Sequence, residues 1–352
     1  MELYLFRPYQ WEKLYSCSNF NISEVSFAER YHPVNGVMII AMFVVFEVLY
    51  IPCMYSIYRQ ARNSSCYKLL FYVGIADVLM MFFHGLETGI YCFTGEVFCS
   101  NPHFNYITGC CGAALFAMET SANFFLAIDR CADCFSPSIS KFFFSNNRTW
   151  IWTGFSTIFA VYYFFFLMPA TYNGVYMNWF LNPYHGYNVK IDFSQYANLI
   201  STVYDMFLSF GFPAAYLMFV TLFVYKVKLV RSLGSGAHRK RQIMMFIQVA
   251  IINGLNISCF LLYTIMQHLP LSKTLIVIGY YINYFMFGFP PIIYLIFNTT
   301  IRRDCRKKFK DIVYNIAVRL LKMSDNRTTS LDLQQTTTFV ESKQSSRVLD
   351  RS

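Results

Sequence analysis

The sequence predicts an all-α membrane protein, a seven-transmembrane helix bundle with the N-terminus outside and the C-terminus cytoplasmic. Three observations carry that prediction. Of 352 residues, 56% are hydrophobic and only 14% charged, and the mean hydropathy is +0.37, too apolar for a soluble domain and too long for one anchor. Seven apolar stretches, near 34–58, 67–91, 106–130, 150–170, 197–225, 242–267 and 274–297, reach the roughly 20 residues a helix needs to cross ~30 Å of hydrocarbon. They read as helices, not as the short alternating strands of a barrel. Basic residues then alternate between connections: Arg59 and Arg62, then Arg130, Lys141 and Arg148, then a run from Lys226 to Arg241, then Arg302 to Lys310, against only Lys190 and Lys273 in the opposite loops. Lys and Arg in short loops stay cytoplasmic, which sets the orientation. The net charge of +10 is that of a basic rim facing anionic lipid and requires no nucleic acid.

Residues 1–33 form the extracellular segment. They lack the apolar core and small-residue site of a cleavable signal, and Asn21-Ile22-Ser23 is a glycosylation acceptor on the translocated side. The sequons at Asn63, Asn147, Asn298 and Asn326 fall in cytoplasmic segments and that at Asn256 inside the sixth span, so these stay bare. The bundle occupies 34–297. Residues 298–310 read as a short basic juxtamembrane helix in which Cys305 is a palmitoylation candidate. Beyond them, 311–352 read as a disordered cytoplasmic tail with Ser/Thr clusters at 328–330, 336–338 and 345–346. Phosphorylation there adds charge that an arrestin-like partner reads, while the bland alternative is a solubilising linker. No internal repeat is visible.

The 11 cysteines sort by compartment. Cys17 and Cys99 lie outside and are a candidate disulfide, with Cys92 as the competing partner. Cys131 and Cys134 make a lone CxxC without a second Cys or His pair, too little for a metal site.

Asp129-Arg130-Cys131 at the end of the third span has two readings, a stop signal or a working pair. It resembles the Asp-Arg-Tyr box of rhodopsin-like G-protein-coupled receptors, with Cys for Tyr. Phe289-Pro290-Pro291-Ile292-Ile293-Tyr294 resembles their Asn-Pro-x-x-Tyr, and Asp77 resembles their buried acid in the second helix. Tyr15-Ser16-Cys17-Ser18, LYIPC at 49–53, SCYKLLFYVGIAD at 65–77, TGEVFCSNP at 94–102, LAIDRC at 126–131 and FPPIIY at 289–294 more closely resemble the nematode serpentine chemoreceptors, class T. The resemblance implies a non-enzymatic receptor for a small molecule that signals through a heterotrimeric G protein, in the plasma membrane and cilia of sensory neurons. It implies switch roles for Asp129, Arg130, Pro291 and Tyr294, with Asp129 holding Arg130 at rest. The chain departs from the wider pattern: no Cys lies in 171–196, the sixth span has neither Trp nor Pro, and Gly112 stands where amine receptors keep an Asp.

Glu87, Phe116, Asp205, Tyr280 and Asn283 are the ligand-pocket candidates. Three acids share one depth: Glu47 lies 12 positions before Arg59, Asp77 lies 11 after Cys66, and Glu119 lies 11 before Arg130. Separate ionised carboxylates in hydrocarbon are too costly, so they share protons, bind a cation or find donors. The resemblance implies a sodium ion between Asp77 and Glu119, with Glu47 a third member; no other cofactor and no metal site is expected. The rival reading is a transporter or ligand-gated channel that uses these carboxylates.

Overall fold

The computed structural model describes residues 1–18, 20–62, 64–187, 193–196, 199–230, 236–269, 271–311 and 313–315. The chain divides into two units, Met1–Arg302 and Arg303–Ser352; in the second, residues 303–311 and 313–315 are helical. The first contains the long helices α1 (Pro33–Ala61), α2 (Ser65–Thr94), α3 (Pro102–Phe135), α4 (Thr149–Phe166), α5 (Leu199–Val230), α6 (Gly236–His268) and α7 (Lys273–Gly288 with Pro290–Phe297). By length and composition α1, α2, α3, α5 and α6 can cross a membrane, as can α7 when its two segments count as one span. In α4, Trp150, Trp152, Tyr162 and Tyr163 temper an otherwise apolar 18-residue helix.

The bundle is apolar outside and partly polar inside. Along α1, Gly36, Ile39, Phe43, Phe46, Tyr50, Cys53 and Ile57 recur at steps of three and four and are buried. Its opposite face, with Val37, Val44, Val48 and Ile51, is exposed and equally apolar, a surface suited to lipid and not to water. The central helix α3 buries Asn105, Thr108, Glu119, Thr120, Asn123 and Asp129. Polar side chains of membrane helices turn inward because hydrocarbon offers them no partner.

The chain breaks where local chemistry demands it. Helix α2 runs past residue 91 to Thr94, where Gly95 at φ +62° ends it in the left-handed region that glycine tolerates. Helix α3 does not end at Asp129-Arg130; it continues to Phe135 and stops before Ser136-Pro137, a pair that disfavours helix. Cys131 is therefore inside a helix and buried, its thiol 3.5 Å from the Ala215 carbonyl. Helix α4 ends at Phe166, short of the expected 170, ahead of Pro169. Helix α7 bends by 52° at Phe289, just before Pro290 and Pro291.

A hairpin absent from the sequence reading follows α4. Strands β1 (Thr171–Asn173) and β2 (Asn178–Phe180) pair antiparallel with Thr171 opposite Phe180. Without a cysteine, hydrogen bonds hold it to the bundle. Tyr172 N donates to Asn105 Oδ1 of α3 at 2.9 Å, Trp179 Nε1 to Thr88 Oγ1 of α2 at 3.1 Å, and Asn178 Nδ2 to the Ile276 carbonyl of α7 at 3.2 Å.

The N-terminal segment is folded. Helices Glu2–Phe6 and Pro8–Tyr15 place Trp11 and Tyr15 in a cluster with Phe98, Tyr106 and Tyr196. Cys17 and Cys99 are bonded, with Cα atoms 5.6 Å apart, while the competing Cys92 is buried with its sulfur 3.7 Å from the Tyr172 hydroxyl. The bridge closes a loop whose ends are 82 positions apart, a constraint worth about 4–5 kcal/mol in a chain-entropy account. Cys17→Ser and Cys99→Ser should each lower the melting temperature of the reconstituted protein by the same amount, and the double variant by no more. Additive losses would mean that the two sulfurs act separately.

Candidate functional site

A cavity of about 540 Å³ lies under the hairpin, walled by α2, α3, α4, α5, α6 and α7 and roofed by Trp179, Asn182 and His185. Its α2 wall is irregular. Residues Phe82–Glu87 form a π turn, a widened turn of helix. Thr88 Oγ1 donates to the Phe83 carbonyl at 3.1 Å, and the Tyr280 hydroxyl of α7 donates to the His84 carbonyl. Gly85 accommodates the Phe43 ring against this turn. The outcome is that His84 lines the cavity, its ring stacked 6.2 Å from both Tyr280 and Trp179.

Of the five pocket candidates, Phe116, Asp205 and Asn283 line this cavity. Glu87 and Tyr280 are not among its lining residues. The Glu87 carboxylate accepts from the Tyr91 hydroxyl at 2.6 Å, one helical turn away, and Tyr280 is fully buried with its hydroxyl committed to the His84 carbonyl. His84, Trp179, Asn182, His185 and Tyr263 were missed. Nothing in helical periodicity marks a π turn, and the roof depends on a hairpin with only short apolar runs. Burial pushes the His185 imidazole below its ordinary pKa, favouring its neutral form. A polar chain ties roof to wall: Tyr263 Oη donates to Asn178 Oδ1 at 3.1 Å, and Asn283 Nδ2 donates to Tyr263 Oη at 3.2 Å.

Deeper in the bundle the acids are separately engaged. Asp77 and Glu119 are each 1% exposed. The Tyr50 hydroxyl lies 2.9 Å from Asp77 Oδ2 and 2.7 Å from the Phe287 carbonyl, while the Asn123 amide donates to Glu119 Oε1. Asp77 Oδ1, Glu119 Oε2 and Glu47 Oε1 are buried without a hydrogen-bond partner, and Glu47 is half-buried on α1. Pro291 and Tyr294 are buried on the short segment after the bend, with the Pro291 carbonyl 3.7 Å from the Cys53 sulfur.

Asp129 and Arg130, expected as a pair, attract each other electrostatically without a close ion pair. Asp129 is buried and accepts from Ser140 Oγ at 2.9 Å, and among the described ion pairs none joins it to Arg130. Successive residues of a helix point about 100° apart, so Asp129 turns toward the segment after α3 while Arg130 lines a small cleft with Asn123, Gln248 and Asn253. Asn21 is exposed, its Oδ1 accepting from Ser23 N at 3.2 Å and Ser23 Oγ at 2.7 Å. Cys305 is half-buried in the second unit. The Ser/Thr clusters at 328–330, 336–338 and 345–346 and the sequons at Asn63 and Asn326 lie outside the described residues.

Tyr280→Phe should destabilise the fold by about 1–3 kcal/mol, since it removes the hydroxyl donor to the His84 carbonyl, and Thr88→Val should cost a similar amount, since it leaves the Trp179 Nε1–H without its acceptor. Because both hold one π turn, the double variant should lose less than the sum. Denaturation of the reconstituted protein measures this, and a Tyr280→Phe variant as stable as wild type would remove the hydroxyl from the account.

The seven-helix arrangement is similar to that in the crystal structure of squid rhodopsin, at a TM-score of 0.59 and 15% identity over 82% of this chain and 87% of that one. At that identity the likeness is one of fold. No curated protein matches the sequence. The family described as "Serpentine type 7TM GPCR chemoreceptor Srt" matches residues 2–317, nearly the whole chain and every element that walls the cavity. The chain is therefore a multi-pass membrane protein that belongs to the serpentine 7TM GPCR chemoreceptor Srt family, a receptor family and not an enzyme class.

Proposed function

We propose that this receptor takes a small environmental molecule into the cavity beneath the hairpin and passes the event to a heterotrimeric G protein at the Arg130 end. The observation that carries the reading is the cavity: about 540 Å³, within the size range of small-molecule sites, and walled by six helices that a bound molecule can bias together. Basic residues put the Arg130 end in the cytoplasm and the hairpin outside. The reading includes a plasma-membrane location in the cilia of sensory neurons, a glycan on Asn21, an acyl chain on Cys305 and an arrestin-like partner for the phosphorylated tail.

Helix α7 is the natural relay. Asn283 is in the cavity wall, and one turn further the Phe287 carbonyl meets the Tyr50 hydroxyl that also contacts Asp77. Two residues on, the helix bends at Phe289. A shift of α7 driven from the cavity thus alters the partners of Asp77, and with Tyr294 beyond the bend it reaches the level of Arg130. Arg130→Ala should keep surface expression and ligand binding while losing ligand-driven nucleotide exchange on the G protein. Normal exchange from the well-expressed variant would return Arg130 to a topological stop signal.

The orphaned oxygens of Asp77 and Glu119 fit a hard cation or a shared proton, either of which supplies the positive charge that two buried carboxylates lack. In this reading Asp77 and Glu119 hold the resting state through that charge, with Glu47 outside the pair. Basal nucleotide exchange should fall as sodium rises or as pH falls, and Asp77→Asn or Glu119→Gln should each blunt the response. A response unchanged by either substitution would leave the acids as structural hydrogen-bonders.

A further inference from the structure

Two side chains of the cavity wall, His84 and Tyr163, carry a buried polar atom without a hydrogen-bond partner, and of the two His84 is the one placed by the π turn. His84 is 6% exposed, and its Nδ1 is buried without any hydrogen-bond partner. The position of the ring is over-determined: it stacks 6.2 Å from Tyr280 with planes 9° apart, 6.2 Å from Trp179 at 27°, and packs 5.9 Å from Phe287. The π turn that aims it is itself held by Thr88 and Tyr280. π turns concentrate at functional sites, and here side-chain donors from Thr88 and Tyr280 support the turn.

A neutral imidazole has one N–H and one bare nitrogen. A buried N–H without an acceptor is rarer and costlier than a buried acceptor without a donor, so the closed-off Nδ1 is the bare nitrogen and the proton sits on Nε2. Since Nδ1 is inaccessible while the ring lines the cavity, the edge that opens on the cavity carries Nε2–H. Around it the wall is mainly aromatic and aliphatic, with Asp205 as its carboxylate and neither Lys nor Arg among the described lining residues. Such a wall offers a free acid no counter-charge.

We propose that His84 is a specificity-determining residue of the cavity, donating from Nε2–H to a hydrogen-bond acceptor on an uncharged, mostly apolar ligand of the ketone, ester or ether class. The assignment rests on the cavity being the ligand site. A site built to donate rejects an analogue that lacks the acceptor, because the donor is then left unpaired.

The test uses the full chain in lipid nanodiscs and four probes that share a chain length: 2-nonanone, nonane, nonanoate and nonylammonium. Thermal-shift titration gives the apparent affinity for the wild type, for His84→Phe, which keeps the aromatic stack, and for His84→Gln, which keeps an N–H donor. The ketone should bind wild type more tightly than the alkane, lose roughly tenfold in His84→Phe, as one hydrogen bond predicts, and recover in His84→Gln. The alkane should bind all three alike. Equal ketone affinity in wild type and His84→Phe overturns the role of His84 while leaving the cavity as the ligand site. Tightest binding of nonanoate or nonylammonium overturns the ligand class. Failure of every probe to shift the wild type overturns the cavity as a site for small apolar molecules, and the role of His84 with it.

Discussion

Hydrocarbon supplies no hydrogen bonds, and the architecture of this receptor follows from that constraint. Each long helix satisfies its own backbone and presents apolar side chains outward, so the polar residues of α3 and the acids Asp77 and Glu119 of α2 and α3 turn inward. Where a helix breaks pattern, side chains support the break. Beside the π turn of α2, the Thr88 and Tyr280 hydroxyls donate to the carbonyls of Phe83 and His84. The bend of α7 falls where two prolines could not have donated in any case.

These contacts join the functional parts. Tyr280 donates to a carbonyl of α2 and at the same time stacks on the His84 ring, so one residue of α7 fixes both the backbone and the side chain of the cavity wall. Trp179 does the same from the hairpin, donating to Thr88 while covering His84. The roof, the α2 wall and the α7 wall are therefore a single hydrogen-bonded and stacked unit. A ligand that displaces one member acts on the others through contacts that are short and directional.

The deeper acids face the same constraint with a different resolution. Asp77 and Glu119 each find one donor, Tyr50 and Asn123, and each keeps one oxygen unsatisfied. A buried carboxyl with a vacant acceptor responds to whatever brings a donor or a charge near it. Tyr50 stands between Asp77 and the last straight turn of α7, which couples that vacancy to the bend at Phe289. Asp129, by contrast, has its donor in Ser140, while Arg130 feels Cys66 and Tyr67 of α2 as well as Asp129 and Asp133 of its own helix.

The amino-acid sequence by itself determined the apolar spans, the bend at Pro290-Pro291 and the inward acids, because each is a local consequence of composition, proline geometry or charge in hydrocarbon. It also marked Phe116, Asp205 and Asn283 for the cavity, since helix number and depth suffice to place a residue in a bundle. Which face of a helix meets which neighbour is set by packing, and there the sequence was silent. Only the tertiary structure decided that Cys99 and not Cys92 bonds Cys17, that Asp129 bonds Ser140 across a turn, and that the segment after α4 forms a roof. The π turn is the sharpest case: with one residue of slack in α2, His84 and not Glu87 lines the cavity wall. That slack is stabilised by donors from α7 and from within α2 itself, and the α7 donor lies 196 positions away, a contact that helical periodicity along α2 does not encode.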